Sequence, residues 1–473
     1  MPQHSVVHGS GPAAAAAETA VEKDARHVLH PWADLSALGE QKPLVVRGAE
    51  GVRVTDTEGR TYLDAIGGMW CVTVGYGRRE LIDAMRAQAL KMPYYTPFGD
   101  VSSEPAAELG ARLAELSPGD LNRVHFTTCG STAVESAVRI AHFHFAARGR
   151  PEKKHVLSRV DAYHGSTYLA ASLSGKAADR TTFHYEDGWV HHLESPAHDP
   201  DTSSVPAADH LAALIDRMEA EIAAIGPENI ACFIAEPIMA SGGVLIPPPG
   251  YHEAALDVCR RNDILYISDE VVCGFGRLGH FFSSEAAFGV VPDIIVTAKG
   301  LTSGYQPLGA VLVSERIAEA MAAAADRSKP VFSNGFTYSG HPVACAAALA
   351  NIEVMVADDV CGHVRDVGPY FVRRLRELRD HPLVAAVRGD HLMACLECRV
   401  PGEEDGPTAR NQALAQRVDR HCEEAGLLVR PFENLCILSP PLVVTKGDID
   451  RIATITADAL DAAEHDLRAQ GVG

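Results

Sequence analysis

The sequence predicts an α/β protein whose large domain contains a mostly parallel sheet, with a smaller α+β domain formed by both chain ends. Between about residue 120 and residue 315, short apolar runs alternate with helical patterns, as in a parallel sheet covered by helices. A hairpin pattern precedes this block, and helix and strand patterns follow it. We assign residues 1–25 to a disordered or loosely attached segment, 98–340 to the large domain, and 26–97 and 341–473 to the small domain.

Each element follows from a local pattern in the sequence. Residues 52–68 alternate apolar and polar side chains around a turn at residues 56–59, as in a β-hairpin. A strand pattern at residues 123–128 leads into residues 133–149, whose apolar side chains recur at helical spacing. By the same criteria, strands are predicted at 230–237, 264–270, 293–300 and 309–315, helices at 250–263 and 448–467, and a helix followed by a strand at 413–430.

Composition limits the partners and the compartment. The chain has 473 residues, 47% of them apolar, and a net charge of -20 without a long basic run. Nucleic acids and anionic membranes attract clustered Lys and Arg, so neither is expected as a partner. No apolar run is long enough for a membrane span. The eleven scattered cysteines favour a reduced, cytoplasmic protein, and the isolated pair Cys395 and Cys398 does not predict a metal site.

Three predicted strands end in charged side chains, Glu236, Asp269 and Lys299. In open α/β sheets, ligands bind at the carboxyl ends of strands, so these residues are candidates for a site. Lys299 alone is more simply interpreted as a solvated strand end. However, it follows Asp269 by 30 residues, about the size of a βαβ unit. The two side chains can therefore face one pocket, as a structural ion pair or as reactive groups.

A third segment, residues 127–137, follows a strand and opens a helix. Gly130 and Ser131 lie at the bend, and a helix N-terminus with a glycine and hydroxyl groups can bind phosphate. The alternative is a capping box from Thr132 to Glu135, which stabilises a helix without any ligand. The sequence leaves both interpretations open.

Residues 274–279, GFGRLG, match the spacing of a dinucleotide-binding loop. Such a loop requires a helix that opens directly on the glycines and an acidic residue about 20 positions further on. The following HFFSSEAAFG has no sustained helical period, and Asp293 comes too early. We therefore interpret the motif as a connecting loop, and an NAD-dependent oxidoreductase is a remote alternative.

A phosphate site, a strand-end Asp and a strand-end Lys together indicate pyridoxal phosphate (PLP). This cofactor has an aldehyde for a lysine, a ring nitrogen that a carboxylate keeps protonated, and a phosphate to anchor. Tyr163, in the segment DAYHGST, is a candidate to lie on the face of the ring.

The motifs YHG, AEP, SDEVVCGFGRLG, DIIVTAKGLTSGYQPLGAV and GFTYSGHP occur in this order. In their spacing the chain resembles the class III aminotransferases, fold type I PLP enzymes, over nearly its whole length. The resemblance implies that Lys299 forms the Schiff base and shuttles the proton, and that Asp269 pairs with the ring nitrogen. It further implies a cofactor site made by Gly130, Ser131, Thr132, Tyr163, His164, Glu236 and Val271, with Thr337 contributed by the partner subunit of a homodimer or of a dimer of dimers.

Within that class the chain resembles the pyruvate-dependent ω-amine transaminases, which implies a ping-pong reaction between an amine and a keto acid. The amine could be β-alanine, taurine, a diamine such as putrescine or an arylalkyl amine. The open alternatives are 2-oxoglutarate as acceptor, or a PLP decarboxylase or racemase. The resemblance implies substrate contacts from Trp32, Trp70, Phe98, Tyr163, Ser241, Phe336 and Arg430, where the arginine is expected to clamp a carboxylate.

Two departures from the family pattern affect these expectations. Thr128, Cys129 and Thr132 stand where the family more often has Asn, Ser and Glu around the Gly-Ser of the phosphate site. This puts the side-chain contact of Thr132 in doubt. After Arg430 and Pro431 the sequence is Phe-Glu-Asn instead of a turn that contains glycine. Glu433 is therefore expected to tether Arg430 and to stiffen or block its movement.

Overall fold

A computed structural model describes residues 18–33, 35–37, 42–199, 203–328 and 331–470 of the chain. Its α-helices are α1 Ala20–His27, α2 Gly67–Trp70, α3 Arg79–Lys91, α4 Glu104–Leu116, α5 Gly130–Ala147, α6 Tyr168–Leu173, α7 Ala207–Ile225, α8 Tyr251–Arg261, α9 Ser283–Phe288, α10 Glu315–Ser328, α11 Pro342–Ala357, α12 Val360–Arg376, α13 Ala409–Glu424 and α14 Lys446–Ala469. No helix in these ranges is both long and apolar enough to cross a membrane.

The strands form three sheets in the described part of the chain. They are β1 Val46–Glu50, β2 Arg53–Asp56, β3 Thr61–Asp64, β4 Arg123–Thr127, β5 His155–Arg159, β6 Val190–Leu193, β7 Ile230–Ala235, β8 Leu265–Asp269, β9 Ile294–Thr297, β10 Gly309–Val313, β11 Val384–Asp390, β12 Met393–Cys398, β13 Leu427–Leu428, β14 Arg430–Phe432 and β15 Leu435–Leu438. The predicted hairpin is confirmed, because β2 and β3 pair in antiparallel orientation. Within its turn, the Asp56 carboxylate accepts the N–H groups of Glu58 and Arg60.

The central sheet has the strand order β4-β10-β9-β8-β7-β5-β6. Strands β6, β5, β7, β8 and β9 run parallel to one another, whereas β10 is antiparallel to both β9 and β4. The connection from β9 to β10 contains one turn of 3-10 helix and no crossover helix, so an antiparallel pairing results. The predicted α/β fold with a mostly parallel sheet is confirmed.

Helix α5 packs on this sheet through the face that the helical spacing predicts. Each of the predicted apolar positions is buried, namely Val134, Ala137, Val138, Ala141 and Phe145. The helix therefore has a fixed orientation on the sheet, and its N-terminus lies near the carboxyl ends of β8 and β9, where Gly130 approaches Val271 and Ala298.

The two smaller sheets combine residues from both chain ends. One has the order β1-β2-β3-β13, and Leu427 of β13 pairs in parallel with Leu63 of β3. The other has the order β11-β12-β15-β14, with helices α12 and α13 packed against it. This arrangement supports a small domain built from both ends, while the boundaries at residues 97 and 340 stay a prediction.

The predicted N-terminal segment, residues 1–25, lies partly outside the described residues, which begin at residue 18. Helix α1 begins inside it at Ala20, where the Thr19 hydroxyl accepts the N–H of Glu22 in a capping box. No residue of this helix is buried. Its attachment therefore stays a prediction.

Candidate active site

The three charged strand ends meet at one edge of the central sheet. Strands β7, β8 and β9 are adjacent and parallel, so Glu236, Asp269 and Lys299 follow them at the same edge. They line one cavity of about 380 Å³. The other predicted residues that line it are Gly130, Ser131, Tyr163, His164, Ser241 and Val271.

Lys299 is not a solvated strand end. It begins the 3-10 turn after β9 with a backbone φ of 40°, in the left-handed region that side chains rarely adopt. In the described part of the chain, no hydrogen bond or ion pair holds its amine. Burial lowers the pKa of Lys299, although nearby Cys71 and Asp269 act in the opposite direction. An unpaired amine that easily loses its proton is suited to act as a nucleophile or base.

Asp269 and Glu236 are both buried carboxylates with different partners. One oxygen of Asp269 lies 2.7 Å from His164 Nδ1, and the other accepts the N–H of Val271 at 3.1 Å. Glu236 accepts the N–H groups of Tyr163 at 3.0 Å and Ala240 at 3.2 Å. Burial raises the pKa of Glu236, while His164 has the opposite effect. Glu236 therefore fixes the loop that carries Tyr163, and Asp269 is held by a histidine.

The N-terminus of α5 faces the cavity with Gly130 and Ser131. The first N–H groups of a helix have no partner within the helix and can bind an anion. A Cβ on Gly165 would lie 2.4 Å from Ser131 Oγ, so only glycine permits this close approach. Ser131 Oγ also accepts the N–H of Ser166 at 3.0 Å, which closes the loop over the helix end.

Thr132 does not line this cavity. Its hydroxyl accepts the N–H groups of Thr128 at 3.2 Å and Cys129 at 3.0 Å. Cys129 is the N-cap of α5, so the predicted capping box from Thr132 to Glu135 is wrong by three positions. Glu135 instead accepts the N–H of Leu169 at 3.0 Å. The doubt about a phosphate contact from the Thr132 side chain is therefore supported by its internal hydrogen bonds.

Tyr163 lines the cavity, and a second aromatic residue, Trp32, contacts Tyr163. The Tyr163 hydroxyl lies 3.0 Å from Ser166 Oγ, and burial raises the pKa of Tyr163. The ring of Trp32 lies edge-on to that of Tyr163, with 6.1 Å between the centroids. Trp32, from the predicted small-domain part at residues 26–97, thus lies beside the predicted site.

Trp70 is buried and does not line the Lys299 cavity, whereas the next residue, Cys71, does. Gly67, Gly68, Met69 and Trp70 all have positive φ, and this irregular backbone turns Trp70 into a buried cluster with Ile238 and Val272. Trp70 is 4% exposed, and Cys71 lines the cavity in its place. Substrate contact by Trp70 stays a prediction.

Phe98, Phe336 and Thr337 lie apart from the Lys299 cavity of their own chain. Phe98 and Phe336 line a second cavity of about 790 Å³. Phe98 is 54% exposed, and Thr337 is also exposed. The Thr337 carbonyl accepts the Tyr94 hydroxyl at 2.9 Å. These three residues can therefore contact another chain, but they do not line the Lys299 cavity of their own chain.

Arg430 begins β14, and the predicted tether to Glu433 is not formed. Glu433 lies near Lys176, and burial raises the pKa of its carboxyl group. Glu397 pairs with Arg388 at 2.6 Å. Arg430 lowers the pKa of Asp419 of α13, although the larger effect of burial raises that pKa to about 7. Arg430 does not line the Lys299 cavity in this structure.

Several lining residues were not among the predicted contacts. Cys71, Gly165, Gln306 and Leu308 line the cavity together with the helix-end residues Thr128 and Cys129. The glycine of YHG could have been found from its position beside Tyr163. Gln306 and Leu308 lie within the motif DIIVTAKGLTSGYQPLGAV, but no local pattern distinguishes them, because they reach the cavity through the connection between β9 and β10.

The donor set fits PLP. The unpartnered Lys299 amine suits the aldehyde, the buried Asp269 carboxylate suits a protonated ring nitrogen, and the α5 N-terminus suits the phosphate. A Cβ on Gly130 would lie 3.0 Å from Val271 Cγ1, so the glycine leaves room for Val271 beside the cavity. The edge of the sheet can therefore hold an aldehyde cofactor with a phosphate group.

Comparisons with known proteins agree with this chemistry. Residues 36–460 match the family model of Aminotransferase class-III. The chain is 38% identical to putrescine–pyruvate aminotransferase of Pseudomonas aeruginosa, with 92% of this chain and 94% of that protein covered. It is 34% identical to diaminobutyrate–2-oxoglutarate transaminase of Halomonas elongata, with 95% and 97% covered. The structure of an ω-transaminase from Pseudomonas jessenii in complex with PMP matches with a TM-score of 0.91 and 34% identity, over 96% of this chain and 100% of that chain.

Proposed function

Because this chain belongs to the class III aminotransferases, a PLP-dependent family, we propose that it transfers an amino group from an ω-amine or β-amino acid to pyruvate. The similarity to a putrescine–pyruvate aminotransferase over nearly the whole chain is the observation that carries this proposal. The similarity to a solved ω-transaminase supports the same class of amine. The reaction has two half-reactions, in which the amine leaves its amino group on the enzyme before the keto acid collects it.

The roles of the residues follow from their surroundings. Bound at this edge, PLP supplies an aldehyde and a ring that accepts electrons. Lys299 would hold the cofactor through its aldehyde, and its amine would serve as the base and acid that moves the proton. Asp269, held by His164, would keep a proton on the ring nitrogen. Tyr163 and Val271 would lie against the ring, and Gly130 and Ser131 would bind the phosphate.

The substrate contacts are also part of the proposal. Ser241 and Tyr163 line the cavity, and Trp32 lies against Tyr163. Arg430 would have to leave the neighbourhood of Asp419 to bind the carboxylate of the keto acid. Glu433 lies near Lys176 instead, so it does not restrain the movement of Arg430.

A second copy of the chain completes the proposed site. Phe98 and Phe336 line a large surface cavity rather than the Lys299 cavity, and Thr337 is exposed next to Phe336 in the chain. Tyr94 and Tyr338 are exposed beside them, and exposed aromatic clusters of this kind mark protein interfaces. In a homodimer or a dimer of dimers, Thr337 of one subunit would contact the cofactor phosphate bound in the other subunit. The eleven cysteines are free, which supports the cytoplasm as the compartment.

A second candidate acceptor is 2-oxoglutarate. The observation that favours it is the similarity to diaminobutyrate–2-oxoglutarate transaminase. Its second carboxylate requires a second cationic contact. Arg430 can bind one carboxylate group of either acceptor, so the geometry of this arginine does not separate pyruvate from 2-oxoglutarate.

The absorbance spectrum of the holoenzyme tests the proposal. Putrescine, β-alanine, taurine and an arylalkyl amine are offered in turn. We expect at least one of them to convert the bound PLP to pyridoxamine phosphate in a single turnover. Pyruvate should then restore the PLP spectrum faster than 2-oxoglutarate. Faster restoration by 2-oxoglutarate would contradict the pyruvate assignment. Loss of carbon dioxide or racemisation without pyridoxamine phosphate would contradict transamination.

A further inference from the structure

Lys299 lies in a short turn whose backbone is unusual at both ends. Lys299 has a φ of 40° and Ser303 a φ of 52°, both in the left-handed region that residues other than glycine rarely adopt. The 3-10 turn Lys299–Thr302 lies between these two positions, and the Ser303 N–H donates to the Gly300 carbonyl at 3.2 Å. A backbone of this kind persists only where the surrounding structure holds it in place.

The side chain of Asn351, on α11, holds this turn by direct hydrogen bonds. Asn351 is 0% exposed, and its Nδ2 donates to the Gly300 carbonyl at 2.9 Å and to the Leu301 carbonyl at 3.2 Å. Gly300 and Leu301 are buried, and they are the two residues that directly follow Lys299. A shift of the turn would therefore leave two buried carbonyls without this donor, which is costly.

The same amide also reaches the segment that follows Cys71. Asn351 Oδ1 accepts the Thr73 hydroxyl at 3.3 Å. Ser303 Oγ, at the end of the turn, accepts the N–H groups of Thr73 at 2.9 Å and Val74 at 3.1 Å. Because Cys71 and the turn both line the cavity, these buried hydrogen bonds join two parts of its lining to each other.

The loop at residues 274–279, which matches the spacing of a dinucleotide motif, packs on the same turn. A Cβ on Gly300 would lie 2.8 Å from Phe275 Cβ and 3.1 Å from Thr73 Cγ2. Only glycine therefore permits this close approach. The next helix, α9, begins at Ser283, so no helix opens directly on the glycines, which supports the interpretation as a connecting loop. Close packing and hydrogen bonds together leave the turn little room to shift.

We propose that Asn351 is a positioning residue, whose amide fixes the turn after β9 and thereby holds the Lys299 side chain in one orientation at the cavity. This inference rests on the proposed role of Lys299. The other buried residues of α11 are apolar, and a buried amide is favourable only where its hydrogen bonds are made. The contacts of Asn351 explain why this helix has an asparagine among its buried positions.

Asn411, on α13, provides a matched control in the predicted small domain. It is also 0% exposed, and its Nδ2 donates to the carbonyls of Glu404 at 2.9 Å and Gly406 at 2.8 Å. Its Oδ1 accepts the Val400 N–H at 2.9 Å. None of these residues lines the Lys299 cavity. The two asparagines thus have the same burial and similar hydrogen bonds, but Asn411 does not contact the turn.

The test compares Asn351→Ala with Asn411→Ala in the holoenzyme without substrate. The visible circular dichroism of the PLP chromophore linked to Lys299, divided by its absorbance, reports how uniformly that side chain is oriented. We expect Asn351→Ala to reduce this ratio by about half or more, because a released side chain occupies several rotamers. Asn411→Ala should keep the wild-type ratio. Urea unfolding should show similar destabilisation by both variants, since each loses three buried hydrogen bonds.

Hydrogen exchange of the same samples locates the change. We expect faster exchange at residues 301–305 and 73–74 in Asn351→Ala, and only around residues 400–411 in Asn411→Ala. A wild-type circular dichroism ratio in folded Asn351→Ala would overturn the proposal, as would an equal reduction in Asn411→Ala. If Asn351→Ala does not fold, Asn351→Ser replaces it in both measurements. Lys299→Ala should lack the linked chromophore altogether, so that variant tests the proposed role of Lys299 separately.

Discussion

Two lysines lie at opposite edges of the central sheet, and their surroundings differ. Lys153 precedes β5, at the amino edge, whereas Lys299 follows β9, at the carboxyl edge. The ammonium group of Lys153 donates to the carbonyls of Pro227 at 3.0 Å and Asp263 at 2.8 Å. It also lies 4.6 Å from the centroid of the Phe145 ring. Lys299 has no such partners among the described residues.

The comparison shows that burial alone does not identify a reactive lysine. Burial lowers the pKa of both side chains, in the case of Lys153 to about 8. The distinguishing property is the hydrogen bonding of the amine. The Lys153 ammonium group donates hydrogen bonds to the carbonyls of two loops, and an ammonium group has no lone pair for an electrophile. Lys299 remains available to an electrophile.

The largest effect is expected for Lys299→Ala. Turnover should fall by a factor on the order of 10⁴ or more, because the variant loses both the attachment of the cofactor and the proton carrier. The free energy of unfolding should change little, since no hydrogen bond is lost. Single-turnover absorbance and urea unfolding measure the two quantities. Wild-type transamination by this variant would show that Lys299 is not the reactive lysine.

Lys153→Met should show the opposite pattern. Two buried carbonyls lose a charged donor, although removal of the buried charge offsets part of the cost, so the free energy of unfolding should fall by about 1–3 kcal/mol. Turnover per folded molecule should stay at the wild-type value. Urea unfolding and activity measured on the same samples check both statements.

The neighbouring lysine provides a matched control for this comparison. Lys154 is exposed, so Lys154→Met should change the unfolding free energy by less than about 0.5 kcal/mol. Equal destabilisation by the two variants would show that the contacts of Lys153 are not the cause.

The site could be predicted from the sequence where strand geometry alone determines it. Parallel neighbouring strands bring their carboxyl ends to one edge, so Glu236, Asp269 and Lys299 had to meet once β7, β8 and β9 were recognised. The glycine at residue 130 and the helical spacing after it indicated the end of a helix at the same edge.

Other features depend on contacts between distant segments and have no local signal. Lys153 and Lys154 are adjacent and chemically identical, and only the carbonyls of Pro227 and Asp263 select the first for burial. The exchange of Trp70 for Cys71 at the cavity wall follows from four consecutive residues with positive φ. The charge of Arg430 acts on Asp419, which lies on a separate element, α13, that packs on β14.

A last pair, two buried histidines, lies near the two edges of the central sheet. His252 lies 2.8 Å from the carbonyl of Pro237, the residue after Glu236, and 2.7 Å from the Tyr266 hydroxyl. His144 Nε2 lies 3.3 Å from Arg148 Nη1. Arg148 forms an ion pair with Asp263, whose carbonyl accepts a hydrogen bond from Lys153. Burial lowers the pKa of His252 to about 3 and of His144 to about 4.

Since these folded-state pKa values lie below the unfolded value of about 6.5, the unfolded chain binds more protons on acidification. Their contribution to stability is complete above about pH 6.5 and is lost as the pH falls toward about 4 for His144 and 3 for His252. His252→Gln should therefore reduce the slope of unfolding free energy against pH by about 1.4 kcal/mol per unit in this window. His144→Gln should do the same, and the double variant should show both reductions because the sites lie at opposite edges. Urea unfolding at several pH values measures the slopes, and a wild-type slope in either single variant would mean that its histidine is already protonated in the folded protein.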